Sequence, residues 1–415
     1  MKVDIIDLFN TLNKALYVVS PGIGRHQEKV AYVVYRLSRH LGWKQELCNS
    51  MFLAGLVHDI GALSLQEKND IVFSRSTEDI NLHAYRGAWL LDKFNHSREV
   101  ADIVKYHHFP WNHGESLKTR EGYGEYSNLL HLADRISSYI EYGRCVLLQV
   151  DEVSSAIEAD SGTEFKPEFV DAFKSLAVSE SFWLDVNSEE VLKHVDYSYF
   201  AHTEMSYSDF VDFAKILSYV IDFRSPFTAT HSARVAESAR SLAELLNFSS
   251  DDVNKMLIAG YLHDLGKITV DNAILEKKGA LTKEEYAVIR SHTYYTYHLL
   301  EEVDGIDDIR GWASYHHERL DGSGYPFRKN ADNLDLGARI MCVADVFAAL
   351  KEPRPYKEAM DKAQIASIMN DMVDNRVLDG KIVKAMLDEY DAVSDACMEA
   401  GSLAEMRYKE LYSIV

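Results

Sequence analysis

The feature that most constrains the fold is an internal repeat, because residues of the first half recur in the same order in the second half. Twelve residues between positions 4 and 61 recur 205 positions later, and among them His58-Asp59 matches His263-Asp264. The offset then grows in one direction for the pairs His83 and His292, His107 and His316, and His108 and His317 at 209 positions, and Asp134 and Asp345 at 211. Loop insertions produce such a drift, so we interpret the chain as a tandem duplication. One domain is expected in residues 1–200 and the other in residues 201–415.

Hydrophobic periodicity predicts helices in both halves. Apolar residues recur at helical spacing over residues 3–19, 26–41, 46–58, 83–94, 97–108, 127–142, 207–223, 231–246, 250–263, 334–350 and 360–373. Thr282 stands three residues before Glu285, a capping-box pattern that predicts the start of the helix carrying His292. Alternation typical of strands is scarce. The predicted fold class is therefore all-α, with two duplicated helical bundles.

Composition and charge exclude several classes of protein. A net charge of −21 argues against a surface that coats a nucleic-acid polymer, because such binding depends on Lys and Arg neutralising phosphates. The four cysteines are scattered and form no Cys-x-x-Cys pair, which favours a reducing compartment. Neither a signal-peptide pattern nor an apolar run of about 18 residues occurs, so we expect a cytoplasmic protein without a membrane segment. The sequence does not indicate the oligomeric state.

The clearest chemical signal is the segment from His263 to Lys267, read together with His316-His317. Imidazole, carboxylate and ammonium groups stand close together in this short segment. Imidazoles with a carboxylate that can bridge suit a dinuclear transition-metal site better than a single zinc site. Hydrolytic centres of this kind hold two ions about 3.5–4 Å apart and generate hydroxide at neutral pH. A neighbouring lysine is suited to act as a point charge on phosphate.

These residues form a recognisable pair of motifs. His-Asp-x-Gly-Lys at residues 263–267 is followed by His-His-Glu-x-x-Asp-Gly-x-Gly-Tyr-Pro at residues 316–326. The pair resembles the motifs of the HD-GYP phosphodiesterases, a branch of the HD metal-dependent phosphohydrolases, and the resemblance covers roughly residues 205–365. A helical core with buried histidines would explain one His-Asp pair, but not the whole ordered series.

The resemblance implies a metal-ligand set in the second domain, made up of His231, His263, Asp264, His292, His316, His317 and Asp345. In the family pattern His231, His263 and Asp345 hold one ion, His292, His316 and His317 hold the other, and Asp264 bridges them. Some members bind a third ion through a glutamate four residues before the first histidine. Phe227 occupies that position here, so two ions are expected, with iron or manganese favoured and zinc or nickel as further options.

The resemblance also implies substrate contacts. Asp264 and Lys267 are the expected catalytic residues, and Lys267 contacts the scissile phosphate. Arg354 and Lys357 match the family's phosphate- and guanine-contacting cations. Tyr325, in the Gly-Tyr-Pro loop, is expected to shape the substrate mouth. In the family this loop is also linked to contacts with diguanylate cyclase domains, and a purely structural turn is the alternative.

The first domain has a matching ligand set in His26, His58, Asp59, His83, His107, His108 and Asp134. It lacks the Gly-Tyr-Pro motif, and Ala62 stands where the second domain has its lysine. It therefore resembles a plain HD domain. Three interpretations remain open: a second metal-dependent phosphohydrolase, a nucleotide-sensing module, or a structural relic.

The function implied by the resemblance is hydrolysis of cyclic di-GMP to linear pGpG, with further cleavage to GMP left open. Hydrolysis of 3'3'-cyclic GMP-AMP, with nucleotidase activity in the first domain, is the alternative within the enzyme class. The alternative from another class is a cyclic-dinucleotide receptor or scaffold without turnover. A complete ligand set favours an enzyme, because a pure receptor has no chemical need for it.

Overall fold

The computed structural model describes residues 5–19, 21–63, 67, 81–113, 123–197, 205–225, 228–277, 279–352 and 360–414. Within these ranges the chain forms helices and irregular segments without any β-strand, which confirms the all-α prediction. The chain divides into two compact units, which consist mainly of Leu8–Thr203 and Glu204–Ser413. None of the helices in the described ranges is long and apolar enough to span a bilayer.

The first half contains nine α-helices in its described ranges. They are α1 Ile5–Val19, α2 Pro21–His40, α3 Gln45–Val57, α4 Leu82–Leu91, α5 Arg98–Lys105, α6 Tyr123–Tyr139, α7 Val150–Ala159, α8 Pro167–Ala177 and α9 Glu180–Val186. Four 3₁₀ segments accompany them at Asn95–Ser97, Trp111–His113, Val146–Leu148 and Val191–His194. Helix α2 starts several residues earlier than periodicity predicts, with Pro21 as its first residue. Proline is favoured at that position because the first N–H of a helix has no partner within the helix.

The second half contains eleven α-helices in its described ranges. They are α10 Tyr207–Asp222, α11 His231–Leu245, α12 Ser250–Leu262, α13 Asn272–Leu275, α14 Lys283–Arg290, α15 His292–Leu300, α16 Asp307–Ser314, α17 Leu336–Lys351, α18 Lys362–Asp374, α19 Gly380–Asp388 and α20 Tyr390–Tyr412. A 3₁₀ segment at Leu265–Thr269 follows α12. The periodicity predicted five of these helices, α10, α11, α12, α17 and α18, and their bounds agree with it to within two residues.

The same close approach of two helices occurs inside each half, which explains why a glycine and an alanine recur in the sequence repeat. A Cβ atom on Gly55 of α3 would lie 2.4 Å from the Cα of Ala31 in α2. A Cβ atom on Gly260 of α12 would lie 2.3 Å from the Cα of Ala236 in α11. Only glycine permits backbones to approach so closely. Each unit thereby brings its first histidine helix against the helix that ends at the His-Asp pair.

One helix prediction is wrong. The capping box of Thr282 and Glu285 is present, but its helix α14 ends at Arg290, and His292 begins the separate helix α15. The imidazole Nδ1 of His292 lies 2.6 Å from the carbonyl oxygen of Ile289, which the helix would otherwise use for its own ladder. The break therefore orients the imidazole, and it could not be predicted from the apolar periodicity.

Candidate metal centre

In the second unit, most of the predicted ligands lie at the ends of helices and form one buried cluster. His231 begins α11, the His263-Asp264 pair directly follows α12, and His292 begins α15. The His316-His317 pair follows the end of α16. Asp345 comes from the middle of α17 and is buried. The structure thus brings together all seven residues of the predicted set.

The donor atoms form two groups around Asp264. The donors of His231, His263 and Asp264 lie within 4.8 Å of one another, as do those of His292, His316 and His317. Asp264 Oδ2 lies 3.2 Å from His263 Nε2, and its Oδ1 lies 3.3 Å from His292 Nε2. Each carboxylate oxygen therefore faces a different group, which is the geometry of a bridging ligand. Asp345 Oδ1 completes the first group at 3.3 Å from His231 Nε2.

Backbone carbonyls fix the orientation of three imidazoles. The Nδ1 atoms of His263, His292 and His316 lie 2.8, 2.6 and 2.7 Å from carbonyl oxygens three residues earlier. These contacts place the proton on Nδ1 and leave the Nε2 lone pair pointing into the cluster. The Nε2 of His263 is buried and has no hydrogen-bond partner among the described residues. A buried imidazole nitrogen with an unused lone pair is suited to coordinate a metal ion.

The second histidine group gives an independent test of that fit. The Nε2 atoms of His292 and His316 lie only 3.2 Å apart, although both imidazoles carry their proton on Nδ1. Burial lowers the pKa of His292 to about 3, with the Asp264 charge opposing it. Burial and the neighbouring His317 lower the pKa of His316 well below its usual range. Two neutral rings with facing lone pairs repel each other unless a cation lies between them, so the donor set fits a divalent ion.

The charged groups of the cluster stabilise one another. Burial raises the pKa of Asp264, but the electrostatic interactions with His263 and Lys267 outweigh it and hold the pKa well below its ordinary value. Lys267 Nζ lies 2.5 Å from Asp264 Oδ2. Burial lowers the pKa of Lys267, yet the Asp264 charge more than compensates, so the pKa is raised and the ammonium remains charged at neutral pH. Lys267 therefore lies beside the bridging carboxylate, where it was predicted to meet phosphate.

Two buried acids of the site had no signal in the sequence. Glu352 accepts a hydrogen bond from Thr230 Oγ1 at 3.1 Å, and its other oxygen lies 3.7 Å from His231 Nδ1. Asp222 accepts a hydrogen bond from the backbone N–H of Ser232 at 3.2 Å. Burial, and then the Asp264 charge, raise the pKa of Asp222 to about 7. No motif or spacing marks either residue, and only tertiary packing places them near His231.

The loop after His316-His317 folds back on the centre. Glu318 is buried and accepts backbone hydrogen bonds from Phe327 at 2.7 Å and Lys329 at 3.0 Å. A Cβ atom on Gly324 would lie 2.5 Å from the Cα of Glu318, so only glycine fits there. The Tyr325 ring consequently lies 5.0 Å from the His317 ring. Three other predicted positions, Phe227, Arg354 and Lys357, lie outside the described residues.

The first unit contains a cluster of the same design. The structure groups the donor atoms of His26, His58 and Asp59, and those of Asp59, His83, His107 and His108, within 4.8 Å. Asp59 again lies between the groups, 3.2 Å from both His58 Nε2 and His83 Nε2. Asp134 Oδ1 lies 3.0 Å from His26 Nε2. The Nδ1 atoms of His58 and His107 also lie 2.9 and 2.6 Å from carbonyl oxygens three residues earlier.

The surroundings of the first cluster differ from those of the second. Buried Ala62 occupies the position of Lys267, and Ser137 Oγ lies 3.1 Å from His26 Nδ1, on the side where the second unit has Glu352. A cavity of about 750 Å³ opens beside His26. Arg25 and Lys29 of α2 line this cavity together with Arg144, Glu141 and Glu189. Arg25 pairs with Glu189 at 3.1 Å. The first unit therefore has positively charged side chains beside its cluster. Comparison of the two sequence repeats did not reveal them.

Comparisons with known proteins agree with this architecture. A family model described as an HD domain matches residues 23–139, and a second HD-domain model matches residues 215–382. The 3'3'-cGAMP-specific phosphodiesterase 1 of Vibrio cholerae is 29% identical over 92% of this chain and 90% of its own length. The 3'3'-cGAMP-specific phosphodiesterase 3 of the same organism is 30% identical over 71% of this chain and 64% of its own.

Two further relatives extend the comparison. The cyclic di-GMP phosphodiesterase response regulator RpfG of Xanthomonas campestris is 39% identical over 35% of this chain and 40% of its own length. The crystal structure of the V. cholerae cyclic GMP-AMP specific phosphodiesterase V-cGAP3 has the same fold, with a TM-score of 0.60, 21% identity, and coverage of 93% of this chain and 97% of that one. The chain carries two HD domains and belongs to the HD-domain phosphodiesterases, which are metal-dependent hydrolases.

Proposed function

We propose that the second HD domain opens the ring of a cyclic dinucleotide by hydrolysing one phosphodiester bond. The observation that carries this proposal is the position of Asp264 between two histidine groups, with Lys267 beside it. These residues would hold two divalent ions, and Lys267 would add a positive charge for a phosphate beside them. A receptor would need neither the bridging carboxylate nor the carbonyl-oriented imidazoles.

We favour 3'3'-cGAMP as the substrate over cyclic di-GMP, which the motif resemblance alone puts first. Three relatives are named for 3'3'-cGAMP, of which two cover 92% and 71% of this chain and the third covers 42%. Relatives named for cyclic di-GMP cover 35% and 46% of it. The motif resemblance fits either substrate, so it does not separate them. Similarity along the whole chain favours the cGAMP group.

The chain's own residues account for most of the catalytic arrangement. When bound, two divalent ions supply Lewis-acid activation of water and neutralise charge that develops on the phosphate. Asp264 fixes the separation of the two groups, since each of its oxygens faces one of them. Lys267 is charged and half-buried, so its contact with the scissile phosphate is a charge-assisted hydrogen bond. Carbonyl contacts hold the imidazoles in place beforehand, which removes reorganisation from the reaction.

The test is metal analysis combined with turnover. The His58→Ala/Asp59→Ala variant, reconstituted with manganese or iron, should retain two ions per chain in the second domain. It should also linearise 3'3'-cGAMP faster than cyclic di-GMP. Tight binding of cyclic dinucleotides without turnover, with both ions in place, would instead establish a receptor. Faster cleavage of cyclic di-GMP would reverse our choice of substrate.

The first HD domain supports a second activity, removal of the terminal phosphate from a linear dinucleotide. Its donor set is complete, and its cavity beside His26 is lined by Arg25 and Lys29 on adjacent turns of α2. Two cations on one side of a metal centre suit a terminal phosphate, which carries more charge than a diester. The His58→Ala/Asp59→Ala variant should therefore accumulate the linear dinucleotide. If the variant forms the dephosphorylated product as fast as wild type, the first domain is not the phosphatase. The interpretation of that domain would then be a sensing module or a structural relic.

A further inference from the structure

Two tyrosine rings and the guanidinium group of Arg290 lie next to one another beside the metal centre of the second domain. Arg290 is the last residue of α14, two residues before His292. Its guanidinium carbon lies 4.6 Å from the ring centroid of Tyr325 and 6.0 Å from that of Tyr286. Tyr325 in turn lies 5.0 Å from the His317 ring. Arg290 is therefore one ring away from a residue of the metal centre.

The charge on Arg290 is not neutralised within the part of the chain that the structure describes. No carboxylate there forms an ion pair with Arg290, and its Nε is buried without a hydrogen-bond partner. Leaving such a donor unsatisfied is unfavourable for the free protein. Arg310 also has a buried Nε without a partner among the described residues, and its guanidinium carbon lies 4.8 Å from the Tyr297 ring centroid. It differs from Arg290 in its charge partner, because Asp307 pairs with it at 2.5 Å. Among the described residues, one stacked arginine thus has a carboxylate partner, whereas the other, two residues before His292, has none and can receive a ligand.

We propose that Arg290 recognises a guanine base of the substrate, with Tyr286 and Tyr325 holding its plane. This inference rests on the proposed function of the second domain and identifies a specificity-determining residue for it. The in-plane N–H groups of an arginine match the O6 and N7 acceptors of guanine in a bidentate contact. Tyr286 is 49% exposed, so its ring is open for a base to stack on.

A base, rather than a phosphate, is the expected partner of Arg290 because its guanidinium is stacked on aromatic rings. The guanidinium carbon lies over the Tyr325 ring at 4.6 Å and over the Tyr286 ring at 6.0 Å. The N–H groups at the edge of a guanidinium stacked in this way make directional contacts in one plane. In the proposed function the scissile phosphate already meets Lys267, which lies beside Asp264. Tyr325 separates Arg290 from His317, so a base that contacts Arg290 would extend from that phosphate past His317 and Tyr325. Guanine is common to cyclic di-GMP and 3'3'-cGAMP, whereas cyclic di-AMP lacks it.

The experiment compares three variants of the full manganese-loaded chain. Arg290→Ala removes the proposed contact with guanine. Arg290→Lys keeps the positive charge but lacks the two in-plane N–H groups. Arg310→Ala is the control, because Arg310 is also an arginine stacked on a tyrosine. Calorimetry measures the Kd of phosphorothioate analogues of cyclic di-GMP, 3'3'-cGAMP and cyclic di-AMP, and steady-state assays separate KM from kcat. Both Arg290 variants should weaken the two guanine-containing ligands by roughly ten- to a hundredfold, mainly in Kd and KM. The cyclic di-AMP analogue should change little, and Arg310→Ala should change none of the three.

Several results would overturn the inference. An equal loss for all three ligands would assign Arg290 to phosphate, and unchanged affinities would show that it does not contact the ligand. An equal effect of Arg310→Ala would show a general packing effect. If Arg290→Ala fails to fold, the lysine variant carries the test alone. Wild-type chain that neither binds nor cleaves any cyclic dinucleotide would refute the proposed function itself, whereas wild-type turnover with unaffected Arg290 variants would refute only this inference.

Discussion

Replacing Gly266 with alanine should disable ring opening through a displacement smaller than two ångströms. Gly266 lies between Asp264 and Lys267 in the 3₁₀ segment, and its N–H donates to Thr296 Oγ1 at 2.9 Å. An added Cβ would lie 1.9 Å from the carbonyl oxygen of His292, whereas ordinary contacts begin at 3.4 Å. The 3₁₀ segment and α15 must therefore move apart by about 1.5 Å, the difference between these two distances.

The magnitude follows from that movement. A misplacement of about 1 Å in a catalytic group costs about a hundredfold in rate, so kcat should fall at least that much. Overpacking should also lower the free energy of unfolding by about 1–3 kcal/mol, which corresponds to several degrees in Tm. The first domain offers a matched control, since a Cβ on Gly61 would lie 2.1 Å from the carbonyl oxygen of His83. Gly61→Ala should destabilise the chain similarly and leave ring opening nearly intact.

The assay measures linear product by chromatography, well below the Tm that calorimetry gives for each variant. Bound metal is counted in parallel, which separates loss of ions from displacement of Lys267. Gly266→Ala that melts like wild type and retains more than a third of its rate would refute the packing argument. Loss of ring opening in Gly61→Ala alone would place the active site in the first domain.

Further outcomes follow from the two clusters. Asp264→Ala should reduce hydrolysis below a few per cent of wild type, because both histidine groups lose their shared carboxylate; higher activity with metal still bound would contradict this. His58→Ala/Asp59→Ala should leave ring opening nearly intact in a turnover assay, because Lys267 belongs to the second domain. Burial lowers the pKa of His231, but the hydrogen bond to Asp345 and the charge of Glu352 raise it to about 9, above its ordinary 6.5. In the metal-free protein this imidazolium should stabilise the fold fully below about pH 6.5, and the stabilisation should disappear as the pH rises through about 9. Metal binding must displace its proton, so manganese affinity should rise between pH 7 and pH 9, with proton release measurable by calorimetry in buffers of different ionisation enthalpy.

The sequence predicted the fold and the donor sets because both depend on local or repeated patterns. The apolar periodicity predicted most of the helices, and the order of histidines and aspartates named the residues that the structure groups together. Glu352, Asp222 and Arg290 could not be predicted in the same way. Each is a single charged residue at the end of a helix or directly after it, and a single charge usually indicates a solvated surface. Their roles arise from packing between helices that are distant in sequence, which periodicity does not describe.

The two metal centres should differ in affinity because their first histidines have different partners. In the second domain Glu352 places a carboxylate 3.7 Å from His231 Nδ1, whereas in the first domain the neutral Ser137 hydroxyl lies 3.1 Å from His26 Nδ1. Glu141, which stands 211 positions before Glu352, is exposed and pairs with Arg144 at 3.4 Å.

A carboxylate behind a ligating imidazole makes it more basic, and losing such a partner costs roughly ten- to a hundredfold in metal affinity. In a competitive titration with a chelator, manganese should therefore leave the first domain before the second, and Glu352→Gln should bring the two steps together. Steps that already coincide in the wild-type chain, or that stay apart in the variant, would show that other contacts set the metal affinity.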